Sequence, residues 1–577
     1  MQKSNEFPNI DGTWTDKVWE NIPITTDFIQ TEPVENAKPT FRTEVKMYYS
    51  DDALFIAAYC YDDEPENILR QVGNRDDELN ADHFRISIDP YDNQQDFTTF
   101  QVTASGVQSD WKNSDGNFNA VWESAVSIKE NGWVVEIKIP YSALRFSKNE
   151  EQQWAIQMYR NIKRLQEEVI WSPTKLSASN YMNYFGKATG IKNIDPPLRL
   201  SLTPFIGLLL QSAPNENNDR EFNHLISGGA DLKYGITASF TLDATLLPDF
   251  SQVQSDDFIN NLSAFEQTFD EQRAFFQEGV DLFNKADLFY SRRIGAGVLY
   301  PNAGYNAEGD SAVVVSSPSK SRLLNALKVS GRTKKNIGIG IFNAIEARSY
   351  AKLKTEEGDE FKVQNDPLSN YNIVVMDKIF PKNKNIYAIN TNVSRSDGAR
   401  NGNVTAIGFS ANFKDDQYNF RGSTSYSVIN EKIDSVKLKR GYQYILDFDK
   451  TSGRFRYGWR TEAVSENYDK NDLGVIFQRN FYQHGWSMNY ILFEPYGKIR
   501  DLFTQLFVSV RQHKPTGELS AVFFNLQANT TFDKQFLSFF TSMNTSLYEE
   551  KDFYAARTEG QGLSETAICQ FQCRHFH

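Results

Sequence analysis

Residues 236–246 alternate strictly between apolar and polar side chains. The apolar positions are Ile236, Ala238, Phe240, Leu242, Ala244 and Leu246, and the polar positions are Thr237, Ser239, Thr241, Asp243 and Thr245. A period of two predicts a β-strand with one apolar and one polar face. In a soluble sandwich the apolar face packs on a protein core, whereas in an outer-membrane barrel it faces lipid and the polar face lines the lumen. The rest of the chain has to decide between these interpretations.

Up to about residue 195 the chain contains short strand candidates separated by turn-rich loops. The stretch SAVSIKENGWVVEIKIP predicts a hairpin in which Asn131 and Gly132 supply the positive-φ turn. Many short strands at regular spacing are typical of a β-sandwich. The adjacent Pro196 and Pro197 mark the predicted end of this domain.

From Leu198 onward the strand candidates are longer and more strictly two-faced. Segments such as YNFRGSTSYSV and VFFNLQANTTF have about the 9 to 11 residues that a tilted membrane-spanning strand needs. We expect about fourteen such segments, which suits a medium-sized barrel. Arg456, Arg460 and Glu462 share one strand face, which favours a water-filled or plugged lumen. We therefore interpret the apolar face of residues 236–246 as lipid-facing, in preference to a second soluble β-domain.

Composition narrows the class of protein further. Aromatic residues make up 14% of the 577 residues, and they favour strands and the interface girdles of barrels. The mean hydropathy of -0.53 argues against a helical membrane protein, and no apolar run approaches the roughly 18 residues of a spanning helix. The net charge of -13 argues against a nucleic-acid partner, and the three cysteines do not form a disulfide framework. The segment MQKSNEFPNIDGTW lacks the apolar core of a signal peptide, so we expect export to depend on a leader outside this chain.

Several stretches within residues 7–195 occur in the order typical of one known domain. They are NIDGTWTDKVWENIP, DHFRISIDPYDN, FQVTASGVQSD and GWVVEIKIPYSALRF. In this order they resemble the family 9 carbohydrate-binding-module-like domain, which implies a β-sandwich that binds saccharide. Saccharide-binding sites stack aromatic rings on sugar rings and hydrogen-bond the hydroxyls through carboxylate, amide and arginine groups.

Five residues of the first domain are the candidate saccharide ligands: Trp111, Trp122, Trp171, Arg85 and Asp110. Trp111 and Trp122 flank the loop KNSDGNFNAV, whose Asn, Asp and Gly residues suit a binding site. The alternative for these two residues is packing at the edge of the sandwich. Three other tryptophans lie in apolar patterns and are predicted to be core residues: Trp19, Trp133 and Trp154.

Acidic residues cluster in the stretch RDDELNADHFRISIDPYDN. They are Asp76, Asp77, Asp82, Asp89 and Asp92. Their oxygens suit calcium, but the spacing does not match an EF-hand loop, so turn-forming and solvated carboxylates are the favoured interpretation and a calcium ion is the alternative. No other cofactor is predicted. The chain contains no GxSxG or HExxH motif, and no carboxylate pair stands out as that of a glycosidase.

The stretch GGADLKYGITASFTLDATLLPDFSQVQSDDFINNLSAFEQTFDEQRAFFQEGVDLF is followed by LFYSRRIG. Together they are similar to a Bacteroidetes family that joins a family-9-like module to an outer-membrane barrel domain of unknown function, DUF5916. The resemblance implies a barrel over residues 198–560.

We expect the element around 256–290, with Phe265 and Phe269 on a helical face, to be a plug, a loop over the barrel mouth or an ordinary surface loop. Its Arg273 could pair with lumen charges, and residues 561–577 are predicted to be an atypical tail.

The sequence thus predicts an all-β protein, with an N-terminal β-sandwich followed by an antiparallel outer-membrane-type β-barrel that is incomplete at the C-terminus. We expect a non-catalytic outer-membrane protein with a periplasmic sandwich that binds a saccharide or glycan, a barrel that contacts lipid, and a role in saccharide uptake or envelope processing. Two alternatives stay open. One is a glycoside hydrolase with the sandwich as its targeting domain, and the other is a structural barrel whose sandwich binds a protein partner of unknown identity.

Overall fold

A computed structural model describes most of the chain. The described residues are 1–92, 94, 96–113, 118–146, 149–175, 180–196, 200–214, 220–237, 240–248, 266–277, 279–280, 282–303, 312–333, 335–355, 357–432, 436–532, 537–546, 550–552, 563–565 and 569–576. Their helices are α1 (Lys17–Glu20), α2 (Ala274–Gln277) and short 3-10 helices at Pro65–Asn67, Tyr141–Ala143, Lys163–Leu165, Tyr181–Tyr184 and Ser291–Arg293. Among the described residues, no helix has the length and hydropathy to cross a membrane.

The first domain is a sandwich of two sheets. Its strands are β1 (Gln2–Lys3), β2 (Ile24–Thr25), β3 (Ile29–Glu32), β4 (Thr43–Tyr49), β5 (Ala53–Tyr61), β6 (His83–Asp89), β7 (Thr98–Thr103), β8 (Gln108–Lys112), β9 (Glu123–Lys129), β10 (Gly132–Pro140), β11 (Glu151–Ile162), β12 (Glu167–Ile170) and β13 (Gly186–Lys192). One sheet has the order β1-β4-β5-β10-β9 with β2 beside β4, and the other has the order β3-β12-β11-β6-β7-β8 with β13 beside β11. Alternate residues of each strand fill the space between the sheets, and Trp19, Trp133 and Trp154 are fully buried as predicted.

The predicted hairpin forms between β9 and β10. Gly132 has a φ of 137°, and a Cβ at this position would overlap the carbonyl oxygen of Cys60 on the neighbouring strand β5. The glycine is therefore required both by its backbone conformation and by the close approach of β5.

The second domain is dominated by one long antiparallel sheet. The strands after the sandwich are β14 (Leu200–Pro214), β15 (Arg220–Gly235), β16 (Phe240–Leu246), β17 (Ala312–Ser316), β18 (Arg322–Arg332), β19 (Ile337–Ala347), β20 (Ser349–Thr355), β21 (Glu360–Asp366), β22 (Ser369–Phe380), β23 (Lys384–Arg395), β24 (Asn401–Phe413), β25 (Tyr418–Lys432), β26 (Val436–Lys450), β27 (Phe455–Val464), β28 (Phe481–Leu492), β29 (Ile499–His513), β30 (Leu519–Phe532), β31 (Leu537–Ser546), β32 (Glu550–Asp552), β33 (Leu563–Glu565) and β34 (Cys569–Phe576). Sixteen of them form one antiparallel sheet, which we call the barrel sheet after its predicted architecture, in the order β14-β15-β16-β18-β19-β22-β23-β24-β25-β26-β27-β28-β29-β30-β31-β34. Strands β17, β20 and β21 form a separate small sheet, and β32 pairs with β33. The predicted all-β architecture is confirmed.

The outer face of the barrel sheet carries many exposed apolar side chains. In β16 the polar residues Thr241 and Thr245 are each 2% exposed, whereas Leu246 is 56% exposed. The same holds along the sheet, where many large apolar side chains on the outer face are exposed: Leu202, Ile206, Leu208, Leu210, Ile226, Ile341, Val374, Met376, Ile386, Ile407, Tyr426, Tyr442, Trp459, Trp486, Met488 and Tyr490. Large apolar side chains therefore make up much of the outer face of this sheet.

The strand predicted at 236–246 is shorter than its alternating pattern. Residues 236 and 237 bend after β15, and the Thr237 hydroxyl accepts the backbone N–H of Phe240. Ala238 and Ser239 lie outside the described residues. A side-chain hydrogen bond to a nearby backbone N–H therefore competes with the extended conformation at this point.

Part of the segment predicted as an atypical tail, residues 561–577, forms a strand. The segment Cys569–Phe576 is strand β34, which pairs antiparallel with β31. The tail lacks an amphipathic pattern, but strand pairing is made by backbone groups, so the free edge of β31 can accept it.

An inserted segment, residues 266–303, packs against the inner face of the barrel sheet, and we call it the plug. Phe276 and Phe283 contact Phe342 of β19, and Lys328 of β18 donates to the Phe275 carbonyl oxygen at 2.6 Å. The predicted helical face is wrong at Phe269, which precedes the short helix α2, while Phe265 lies outside the described residues. A second segment, residues 465–480, joins the plug inside the sheet through the Leu473 carbonyl oxygen, which accepts the N–H of Tyr290 at 2.6 Å.

The sandwich lies at the end of the barrel sheet where the strand connections are short turns, such as 381–383 and 414–417. Asn183 donates to Asp416 at 2.8 Å, and Arg500 donates to the Gln166 side chain at 2.7 Å. The longest described insertions, including the plug and the β20–β21 hairpin, leave the sheet at the opposite end. The two ends of the barrel sheet are therefore different, and the sandwich belongs to the short-turn end.

Candidate functional site

A groove of about 350 Å³ lies on the outer face of the second sandwich sheet. Its lining residues are Thr31, Arg85, Ser87, Phe97, Thr99, Trp111, Tyr159, Glu168, Ile170, Thr174, Lys175 and Tyr181. The volume is at the lower end of the roughly 300–1,000 Å³ typical of ligand sites. We call this feature the groove.

Strand register explains why these residues meet. Trp111 of β8 lies opposite Thr99 of β7, and Thr99 lies opposite Ser87 of β6. Arg85 of β6 lies opposite Tyr159 of β11. Because side chains alternate between sheet faces, these residues line the groove while their neighbours along the strands enter the core.

An arginine, a tyrosine and a carboxylate form the polar centre of the groove. The guanidinium of Arg85 lies 4.1 Å from the ring centroid of Tyr159, and its Nη2 donates to Glu168 Oε2 at 2.9 Å. The buried Nε of Arg85 has no hydrogen-bond partner among the described residues. Burial raises the pKa of Glu168, and the charge of Arg85 opposes this shift. The ion pair thus presents fixed donors and acceptors of the kind that sugar hydroxyls need.

Aromatic rings surround this polar centre. Trp111 and Tyr159 are half-buried, and Tyr181 is 40% exposed. Phe97 packs beneath Tyr181, with ring centroids 5.8 Å apart. Half-exposed rings beside fixed hydrogen-bonding groups can hold the apolar face of a pyranose ring while its hydroxyls are recognised.

The structure separates Asp110 and Trp122 from the groove. Asp110 precedes Trp111 on β8 and therefore points to the opposite face, where it is buried. It accepts the indole N–H of Trp122 at 3.1 Å and the backbone N–H of Ala120 at 2.7 Å, and it also pairs with Arg75. Trp122 is only 5% exposed and packs in the sandwich core.

Trp171 is also outside the groove lining. Its neighbour Ile170 lines the groove, but the Trp171 ring lies over Gly186 of β13, where an added Cβ would overlap it. Of the five sequence-predicted ligands, the structure therefore brings Arg85 and Trp111 together and places Asp110, Trp122 and Trp171 elsewhere.

Sequence reasoning missed Tyr159, Glu168 and Tyr181. The alternation that predicts Trp154, Ile156 and Met158 as core residues also places Tyr159 on the other sheet face. That signal was present in the chain. By contrast, Glu168 meets Arg85 and Tyr181 meets Phe97 only in the folded domain, and these contacts join segments that are distant in sequence.

Among the described residues that line the groove, Glu168 is the one carboxylate, and it is paired with Arg85. Glycoside hydrolysis ordinarily needs two carboxyl groups about 5 to 9.5 Å apart. The described lining residues do not supply such a pair.

The acidic cluster forms backbone contacts. Asp89 accepts the N–H groups of Tyr91 and Gln94, and Asp77 accepts that of Asn74. In the part of the chain that the structure describes, no group of three potential metal ligands comes together. A calcium site in this domain stays a prediction.

Asp82 and its neighbour His83 are ionisable groups at the edge of the core. Asp82 Oδ1 accepts the N–H of Lys163 at 3.0 Å, while Asp82 Oδ2 and His83 Nε2 are buried and have no hydrogen-bond partner among the described residues. Burial raises the pKa of Asp82 to about 6 and lowers the pKa of His83 to about 3. The two pKa shifts make the free energy of unfolding depend on pH in opposite directions.

We expect these groups to produce opposite pH dependences when separated by mutation. Below its raised pKa, Asp82 binds a proton in the folded state that the unfolded state lacks, so this contribution to stability is present at low pH and is lost as the pH rises through about 6. For His83 the unfolded state binds the extra proton, so stability is lost as the pH falls from the usual His value of about 6.5. As the pH falls from 7 to 4.5, the free energy of unfolding of His83→Gln should rise relative to that of wild type. The free energy of unfolding of Asp82→Asn should fall relative to that of wild type over the same range. Denaturant unfolding of the sandwich checks this, and parallel slopes for both variants would contradict it.

Two family models match the chain. The Carbohydrate family 9 binding domain-like model matches residues 10–189. The model described as Domain of unknown function (DUF5916) matches residues 196–574, which is more than half of the chain. The chain belongs to the DUF5916 family. In this DUF5916 protein, the groove lies within the carbohydrate-binding-like domain, and the barrel sheet and plug lie within the DUF5916 domain.

Several solved structures are similar to this DUF5916 protein at low identity. A family 9 carbohydrate-binding module from Caldicellulosiruptor kristjanssonii in complex with glucose is 16% identical, with a TM-score of 0.26, over 34% of this chain and 99% of that chain. OccAB1 of Acinetobacter baumannii is 8% identical, with a TM-score of 0.28, over 86% of this chain and 96% of that chain. OccK5 (OpdH) of Pseudomonas aeruginosa is 8% identical, with a TM-score of 0.26, over the same shares. No curated protein matches the chain.

Proposed function

We propose that this protein is a non-catalytic outer-membrane protein that binds saccharide in the groove of a periplasmic sandwich. The observation that carries the binding proposal is the combination of Trp111, Tyr159 and Tyr181 around the Arg85–Glu168 ion pair. Aromatic faces and fixed polar groups together are what saccharide recognition requires. The match of residues 10–189 to the carbohydrate-binding-like family supports the same ligand class.

The membrane location rests on the outward apolar face of the barrel sheet. Exposed residues such as Ile206 and Leu210, which are 85% and 72% exposed, would be unfavourable in water as one continuous surface. Lipid covers such a face at no cost. A bacterial outer membrane is therefore proposed, in the phylum Bacteroidetes that the sequence resemblance suggests.

The orientation follows from the two ends of the barrel sheet. In outer-membrane barrels the short turns are periplasmic and the long loops extracellular. The sandwich contacts this end through Asn183, which bonds to Asp416 in a short turn, and through Gln166, which bonds to Arg500 near the start of β29. We therefore place the groove in the periplasm, where it would take a saccharide during uptake or envelope processing.

Trp111→Ala is expected to weaken saccharide binding about 30-fold while leaving the sandwich folded, because a half-exposed aromatic anchor contributes about 2 kcal/mol or more to a binding site. The measurement is binding of the full chain, in a zwitterionic detergent, to a broad glycan array, followed by titration of the strongest saccharide. Trp122→Ala is the matched control because it removes the same side chain from the core face. It should lower the unfolding temperature and leave the affinity of the folded protein unchanged. A well-folded wild-type protein that binds no saccharide would refute the proposal.

A further inference from the structure

A second, larger cavity of about 870 Å³ lies between the sandwich and the barrel sheet. Three parts of the chain form its walls: the sandwich, the plug and the short-turn end of the barrel sheet. The sandwich contributes residues such as Asp92, Thr98 and Arg145, the plug contributes Gly279, Leu282 and Lys285, and the barrel sheet contributes residues such as Arg332, Asp377 and Asn385. We call this cavity the vestibule. Its volume is more than twice that of the groove and within the range of about 300–1,000 Å³ of ligand sites.

The vestibule is lined mainly by polar side chains with little net charge. Seven of the lining residues carry a side-chain amide: Gln94, Asn149, Gln152, Gln153, Asn336, Asn383 and Asn385. An amide group has both a donor and an acceptor, as a sugar hydroxyl does. The amides of Gln94 and Gln153 also bond to Asp92, and that of Asn383 bonds to Asp416. Five basic and four acidic side chains nearly balance each other, and Asp92 and Asp377 pair with Lys187 and Arg332. This chemistry fits a neutral, hydroxyl-rich ligand better than an ion.

The groove and the vestibule meet at the ends of β7 and β8. Phe97 lines both cavities. Thr99 lines the groove and Thr98 the vestibule, while Trp111 lines the groove and Lys112 the vestibule. The two cavities therefore adjoin at Phe97 and at the ends of β7 and β8.

We infer that the ligand is an oligosaccharide that occupies both cavities, with one end in the groove and the other under the plug at the barrel's short-turn end. This inference rests on the proposed saccharide binding and adds the length and position of the ligand. Sugar units in the groove contact Trp111 and Tyr159, and the following units contact the amides and Arg145 of the vestibule. A monosaccharide would use only the groove.

The test measures how binding affinity depends on oligosaccharide length, with the vestibule intact and with it altered. The full chain, in a zwitterionic detergent, is applied to an array of gluco-, manno- and xylo-oligosaccharides that runs from monosaccharide to hexasaccharide. Wild type is compared with an Arg145→Ala/Asn385→Ala double variant, whose residues lie on opposite walls of the vestibule. Lys17→Ala, at an exposed residue of α1, is the matched control.

Wild type and the Lys17→Ala control should bind the hexasaccharide at least about 10-fold more tightly than the monosaccharide of the same series. The double variant should lose this gain and keep the monosaccharide affinity. Equal affinity for all lengths, or an unchanged length dependence in the double variant, overturns the two-cavity inference and leaves saccharide binding by the groove intact. Binding of no saccharide at any length overturns both proposals.

Discussion

Replacing Arg273 with alanine is expected to release the plug from the barrel sheet and leave the sheet folded. Arg273 is 6% exposed and donates to Glu271 Oε1 and Oε2, to the Ile294 carbonyl oxygen at 2.6 Å and to the Ser291 carbonyl oxygen at 2.9 Å. Its guanidinium also lies 4.1 Å from the ring centroid of Phe276. One side chain therefore ties together both halves of the plug.

The free energy that holds the plug closed should fall by about 3–5 kcal/mol, because removing one partner of a buried ion pair leaves the other charge without compensation. Hydrogen exchange measures this locally: amides of residues 266–300 should exchange about a hundredfold faster or more, while those of β18 to β24 keep their protection. Gln272→Ala, at the exposed neighbouring position, is the control and should leave exchange unchanged. Arg273→Lys should also exchange faster than wild type at the plug amides, since an ammonium cannot reproduce the planar donor geometry of the guanidinium. Native exchange rates in Arg273→Ala would show that the plug is held by its aromatic contacts instead.

Val374→Arg is expected to destabilise the barrel in lipid vesicles by about 2–4 kcal/mol, as for an arginine on the lipid face near the bilayer midplane. Val374 lies in the middle of β22, on the outer face, and is 53% exposed. In water a substitution at such an exposed site would change stability by only about 0.5 kcal/mol.

The sandwich provides the matched control for this prediction. Val72 is 76% exposed on the sandwich surface, so Val72→Arg should be neutral. Denaturant unfolding in vesicles, followed separately for the sandwich and the barrel, compares the two variants. Equal and small effects would mean that the outer face of the barrel sheet meets water, which would remove the basis for the membrane location.

The alternation of side chains was sufficient to predict the outer face of the barrel sheet. It was insufficient for the inner face wherever the plug packs. In β19 and β22 the inward residues Phe342, Ala344, Ile373 and Val375 are apolar, because they contact the plug and not water. These strands are apolar on both faces, and a sequence pattern cannot show that a distant insertion covers one of them.

The groove, like the barrel sheet, was only partly predictable from the sequence. Trp111 was identifiable as an aromatic residue near a polar loop, but Asp110 and Trp122 were grouped with it because they are close in sequence. Strand geometry sends Asp110 to the opposite face, where it binds Trp122. Glu168 becomes a groove residue through its contact with Arg85 of β6, 83 residues earlier in the chain. Contacts between segments so far apart leave no local pattern in a single sequence.

The outward apolar face also decides how binding can be measured. A surface of this kind has to be covered by an amphiphile during purification. Many common detergents carry glucose or maltose as head groups, and these are themselves ligands of the class proposed for the groove. Alkyl glycosides would occupy Trp111 and Arg85 at millimolar concentration and conceal weaker natural ligands, so zwitterionic or non-ionic polyether detergents are required, and the glycoside detergents become the first competitors to titrate.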